Sequence, residues 1–147
     1  MGNLLTINFV AENNDIELFP QKGSLGAGGY DLKSNEDIII PYGEIKKIST
    51  GIKIEIPKNY VGILVGRSST FCKGIICNLG IIDSDYRGDI QLVVLNQKQD
   101  KTDFIVSKYD RIGQILIMPI ENQFIFTMAE TLSNTNRGTN GFGSTGN

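Results

Sequence analysis

"IKIEIPKNYVGILVG", Ile52 to Gly66, is the stretch on which the reading of the fold turns. Its first five residues alternate apolar and polar side chains, the pattern of a strand with one face buried and the other in water. Pro57 and Asn59 interrupt it, and a second apolar run, "YVGILVG" (60–66), comes next. Comparable runs recur along the chain: "LLTINFV" (4–10), "DIIIP" (37–41), "IQLVVLN" (90–96), "DFIV" (103–106), "QILIMPI" (114–120) and "QFIFTM" (123–128). They are short, rich in Ile, Val and Phe, and bounded by Gly, Pro, Asn or Asp, which predicts strands rather than helices. Only "DRIGQILI" (110–117) could pass for a helical turn, and Gly113 with three β-branched isoleucines argues against one. The reading is an all-β sandwich or barrel with little helix.

Global properties narrow the function. A chain of 147 residues with 40% hydrophobic content suffices for one well-buried domain and is short for two. A net charge of -2 and a pI near 5.1 argue against a broad basic surface for nucleic acid or anionic membrane. A charged small molecule suits it better. Cys72 and Cys77 lack the paired spacing of a zinc site, and there is no histidine to complete one. They read as small core hydrophobes in a reducing compartment. Met1 to Val10 has no basic region of the secretory kind, and no run approaches the ~20 apolar residues of a membrane helix. A soluble intracellular protein is expected. Without histidine, Ser-His and Cys-His catalysis are excluded, which leaves carboxylates, arginines and a metal ion.

Polar, glycine-containing stretches lie between the strands, where binding and catalysis usually sit. Arg67, Ser68 and Ser69 directly follow an apolar strand; the arginine fork and two hydroxyls suit phosphate oxygens, although a solvated turn would read the same way. In "GIIDSDYRGDI" (80–90), Asp83 stands behind Ile81 and Ile82. Partly desolvated there, it could act as a general base toward water; the alternative is a hairpin whose aspartates cap the turn. Asp31, after Gly28-Gly29-Tyr30, is a turn residue by default and a metal-shell carboxylate at best. The chain closes on "NRGTNGFGSTGN" (136–147), which offers almost nothing to a core. It is either a disordered end or a phosphate-binding segment whose glycines admit close backbone approach.

Taken together, "GAGGYDL" (26–32), "GRSSTFCKG" (66–74), "GIIDSDYRGDI" (80–90), "YDRIGQILI" (109–117) and "NRGTNGFGSTG" (136–146) resemble, in order, the five motifs of the trimeric dUTPases. The resemblance implies a jelly-roll-like β-barrel over residues 1–134. A flexible Gly-rich arm, 135–147, would close over the active site. It also implies a homotrimer with shared sites that hydrolyses dUTP to dUMP and pyrophosphate with Mg²⁺. Carried over residue by residue, Asp83 is then the general base and Tyr86 the residue packed on the deoxyribose. The hairpin around Asn78 to Gly80 reads the uracil edge. Arg67, Ser68, Ser69 and Gln114 grip phosphates, and Asp31 holds the magnesium through water. In the arm, Arg137, Gly143, Ser144 and Thr145 reach the outer phosphates while Phe142 stacks on uracil.

Departures from the commoner pattern are Gly66 in place of proline, Gly113 in place of alanine, Ser69 in place of glycine, and Asn78, which stands one residue closer to Asp83 than in some relatives. The glycines are expected to alter backbone stiffness more than chemistry. The dCTP deaminases resemble the chain as well. The glutamate they use would fall at Val93, which cannot act as acid or base, so deamination is disfavoured. A β-barrel module that binds nucleotide without hydrolysis would be favoured had Asp83, Asp31 or Arg67 been replaced; all three are present.

Overall fold

The alternation of residues 52–55 becomes a strand with Ile52 and Ile54 buried and Lys53 and Glu55 in water. In the computed structural model, residues 5–140 are described, and they hold eleven short strands, one α-helical turn and two 3-10 turns, Glu12–Asn14 and Ile16–Leu18. In chain order these are β1 (Asn8–Ala11), β2 (Tyr30–Lys33), β3 (Ile38–Ile40), β4 (Ile45–Ser49), β5 (Ile52–Glu55), β6 (Tyr60–Gly66), α1 (Ser68–Phe71), β7 (Ile75–Cys77), β8 (Gly80–Ile82), β9 (Gln91–Asn96), β10 (Phe104–Val106) and β11 (Arg111–Pro119). β2, β11, β6 and β8 form one sheet in that order and β4, β9 and β7 another, while β1 pairs with β5 and β10 with β3. Every ladder is antiparallel. The sheets do not close into one continuous ring, and the arrangement is jelly-roll-like and all-β, as expected.

The two larger sheets meet across a single core. Leu32, Leu64 and Ile115 from one side join Ile48, Leu92 and Val94 from the other in one buried cluster. A fully buried side chain of this size stabilises the fold by about 1.5–3 kcal/mol. At Gly113 the sheets come so close that a Cβ would stand 2.2 Å from Cδ2 of Leu92 and 2.8 Å from the Val65 carbonyl oxygen. Gly66 is confined in the same way, because a Cβ there would stand 2.7 Å from Cβ of Cys77. Space, rather than stiffness, explains the glycines at both positions. Two buried polar side chains are fully occupied. Asn96 donates to the carbonyls of Ile40 and Thr102, both at 2.9 Å, and accepts from Lys98 N at 3.0 Å. Thr50 donates to Ile90 O at 2.7 Å.

Two sequence expectations fail. "QFIFTM" forms no strand: residues 121–129 have no regular structure, and Phe124 and Met128 are 80% and 99% exposed. Beyond Ile115 β11 pairs with β6 alone, and among the described residues no strand pairs with the chain that follows. Cys72 is exposed rather than a core residue, whereas Cys77 is partly buried and its thiol pKa is pushed up by desolvation. No helix among the described residues is long and apolar enough to cross a membrane.

Candidate active site

β11 assembles one part of the site by standing between β2 and β6. Gln114 lies opposite Asp31 on one side and Val65 on the other; Gly113 lies opposite Leu32 and Gly66. The β2–β11 register shifts between Arg111 and Gly113, a bulge of the kind that re-aims a side chain. Arg111 thereby reaches Asp31, with Nη1 3.4 Å from Oδ2, and its carbonyl accepts from Arg67 Nη1 at 3.2 Å. Gly29 clears the space beside Gln114, since a Cβ on it would stand 2.7 Å from Oε1. Beyond Arg67 the chain turns at once into α1, which places Ser68 and Ser69 at the surface. Arg67, Ser69, Thr70, Lys73 and Arg111 line a cavity of about 320 Å³. Arg111 is not among the residues expected from sequence. Its signal was a cation three residues before Gln114 within "YDRIGQILI".

A second group sits at the other end of β6. β8 runs antiparallel to β6, with Gly80 opposite Leu64 and Ile82 opposite Gly62. Asp83 therefore emerges near the start of β6 while Arg67 follows its end. Arg67 stands five residue steps beyond Gly62, roughly 16 Å of extended chain. Asp83 opens a tight turn in which Tyr86 N donates to its carbonyl at 3.1 Å. The Tyr86 hydroxyl donates to Asp89 O at 3.0 Å, and its ring lies over Gly88, where a Cβ would come 2.3 Å from the phenol oxygen. Arg87 donates to Ser84 O at 2.7 Å and to Tyr86 O at 2.9 Å, and it pairs with Glu55 of β5 at 3.5 Å. The turn is thus shaped by its own chain, but Asp83 is exposed there rather than desolvated by Ile81 and Ile82. Ile81 is itself 56% exposed and cannot shield it.

Asn78 and Leu79 do not close a simple hairpin. β7 pairs with β9 and β8 with β6, so these residues carry the chain from one sheet to the other. The Asn78 backbone N–H donates to Val93 O at 3.1 Å and its side chain is exposed. Arg137 bonds locally, its Nε donating to Asn140 O at 2.9 Å. Phe142, Gly143, Ser144 and Thr145 fall outside the described residues. Among the described residues, no three His, Cys, Asp or Glu side chains are grouped to hold a metal ion.

The sequence model of one protein family, described as dUTPase, matches residues 15–146. The chain belongs to the dUTPase family. A deoxyuridine 5'-triphosphate nucleotidohydrolase of Paramecium bursaria Chlorella virus 1 is 41% identical over 128 residues, covering 86% of this chain and 89% of that protein. Its counterpart in vaccinia virus, strain Copenhagen, is also 41% identical, over 140 residues covering 95% and 92%. Among solved structures, the dUTPase of Staphylococcus bacteriophage 80alpha with dUPNHPP superposes with a TM-score of 0.86 at 25% identity, covering 96% of this chain and 98% of that one. As a dUTPase-family protein the chain carries Asp31, Arg67 and Gln114 at one end of β6 and Asp83 with Tyr86 at the other.

Proposed function

We propose that the chain hydrolyses dUTP to dUMP and pyrophosphate by attack of water on the α-phosphorus, with Mg²⁺, as a homotrimer whose sites are each assembled from several copies. Such an activity limits uracil in DNA and supplies dUMP for dTMP synthesis in a soluble intracellular setting. One observation carries the reading: in a chain of the dUTPase family, the residues suited to grip phosphates and the carboxylate suited to activate water stand at opposite ends of one strand. A second copy that offers its Asp83 turn to the Arg67 end of the first closes the gap. The exposed apolar run Phe124, Ile125, Phe126, Met128 and Leu132 also favours assembly, because a soluble monomer rarely leaves so much apolar surface uncovered.

Within such a site the roles follow from chemistry. Asp83, exposed on a fixed turn, accepts the proton of the attacking water and aligns it in line with the departing pyrophosphate. The Tyr86 ring, steadied by the Asp89 carbonyl and by Gly88, packs on the deoxyribose and leaves no room for a 2'-hydroxyl. Asn78 and Gly80 present backbone to the uracil edge. Arg67, Ser68, Ser69 and Gln114 bind the triphosphate, with Arg67 held from behind by the Arg111 carbonyl. The arm, residues 135–147, closes over the nucleotide with Phe142 on the base and Arg137, Gly143, Ser144 and Thr145 on the β- and γ-phosphates, excluding other water. A single partly exposed carboxylate at Asp31 suits Mg²⁺, which keeps several waters and takes further oxygens from phosphate. Bound there through water, the ion would neutralise charge on the phosphates and on the leaving pyrophosphate.

Pyrophosphate release measured for each dNTP, with and without Mg²⁺, tests the assignment. Turnover confined to dUTP in the presence of the metal is expected. Formation of uracil nucleotides from dCTP, or no turnover of any dNTP, would overturn it.

A further inference from the structure

Tyr109 holds a backbone conformation that suits its residue type poorly. Its φ is 71°, and of the four other non-glycine residues with positive φ among the described residues, three are asparagines, the type that tolerates that region best. Three contacts hold it there. Its N–H donates to Ser34 O at 2.8 Å. Its hydroxyl donates to Asp15 Oδ2 at 2.7 Å. Lys108 Nζ stands 4.9 Å from the ring centroid and 3.2 Å from the same Asp15 oxygen. The neighbours are anchored in turn: Asp15 accepts from Glu17 N at 3.1 Å, and Lys108 N donates to Asp37 Oδ1 at 2.8 Å.

The two residues after Tyr109 give this arrangement a purpose. The Asp110 carbonyl accepts from Ser34 N at 2.8 Å, Arg111 then pairs with Lys33, and the bulge begins. The direction in which the chain enters that bulge decides whether Arg111 meets Asp31 and whether its carbonyl lies beneath Arg67. We infer that Tyr109, fastened by Asp15 and Lys108, is a positioning residue for the phosphate grip. It acts through Arg111 on Arg67 and Asp31 without touching substrate. The inference rests on the dUTP-hydrolysing reading and adds to it a residue whose contribution is geometric.

The test uses the full chain and three variants: Tyr109→Phe, which keeps the ring and loses the hydroxyl, Tyr109→Gly, which suits the positive φ and loses the tether, and Asp15→Asn. KM and kcat for dUTP are measured, together with the affinity for a non-hydrolysable α,β-imido analogue and the melting temperature. Expected is a rise in KM of about 3- to 10-fold, matched by the same loss of analogue affinity, with kcat within about twofold. Tyr109→Gly should show this rise even where its melting temperature equals that of the unaltered chain. Should it fail to fold, Tyr109→Phe decides by the same measurements. Lower melting temperatures with unchanged KM and analogue affinity, or a fall in kcat alone, would overturn the positioning role while leaving the activity standing. An unaltered chain that neither hydrolyses dUTP nor binds the analogue overturns both.

Discussion

The two ends of β6 are built on different plans. At the Arg67 end, two strands and the residue that follows a third are already tied together, Arg111 of β11 to Asp31 of β2 and Arg67, just past β6, to the Arg111 carbonyl. At the Asp83 end, one tight turn fastens itself through Tyr86 and Arg87 and leaves its carboxylate facing outward. The first plan holds several groups in register against a ligand with many charges. The second leaves one carboxylate in solvent, open to a neighbouring copy in the proposed assembly. Their separation along β6 is what the proposed assembly of one site from more than one copy would bridge.

The largest expected effect separates the two ends chemically. Asp83→Asn should keep nucleotide affinity and lower turnover by about 10²- to 10⁴-fold, read from single-turnover kinetics and calorimetry. Loss of affinity instead would place Asp83 among the gripping groups. Next comes mixing. Arg67→Ala and Asp83→Asn chains, each nearly inactive, should regain roughly a quarter of the unaltered activity when unfolded and refolded together, because random assortment places both intact ends at one site in that fraction. No recovery would mean that one chain supplies both ends. Gly113→Ala should strike the gripping end through its scaffold. A methyl facing Leu92 and the Val65 carbonyl should cost about 1–3 kcal/mol in denaturant unfolding, with the Asp83 turn unchanged in its NMR shifts.

The smallest effect concerns pH at the gripping end. The Tyr109 hydroxyl, and after it Lys108, hold the Asp15 carboxyl below its ordinary 3.8, and Asp15 holds Lys108 above its ordinary 10.5. A depressed acid contributes stability above its unfolded value and loses it as pH falls through the folded one. A raised base contributes below its unfolded value and loses it as pH rises through the folded one. The melting difference between the unaltered chain and Asp15→Asn should therefore be small and constant from about pH 5 to about pH 10, shrinking in acid as Asp15 takes up a proton and again in stronger alkali as Lys108 loses one. A slope near neutrality would show that another group is coupled to this contact.

Much of this was legible in the sequence, and the rest was hidden for physical reasons. Ile52 to Ile56 alternates because one face is buried, so its strand could be read directly. β7 and β8 are three residues each and interrupted by Asn78-Leu79, too short for any period to register. "QFIFTM" carries apolar residue types like those of β11, but pairing depends on a partner strand being brought alongside, which composition does not encode. The order of motifs pointed to Asp31, Arg67, Gln114 and Asp83, yet their division between the ends of β6 comes from the antiparallel pairing of β8. Arg111 was hidden for a similar reason, since its reach to Asp31 depends on a bulge in a ladder between distant segments. The exposure of Asp83 was hidden because Ile81, apolar in sequence, points outward in a chain seen alone.

If, as proposed, β6 serves one site with its end and another with its beginning, a genetic consequence follows. A chain defective at both Arg67 and Asp83 would, on entering a trimer with two intact copies, silence two sites rather than one. Defective copies made beside normal ones would then depress activity more steeply than their share of the protein, and such an allele would behave as dominant.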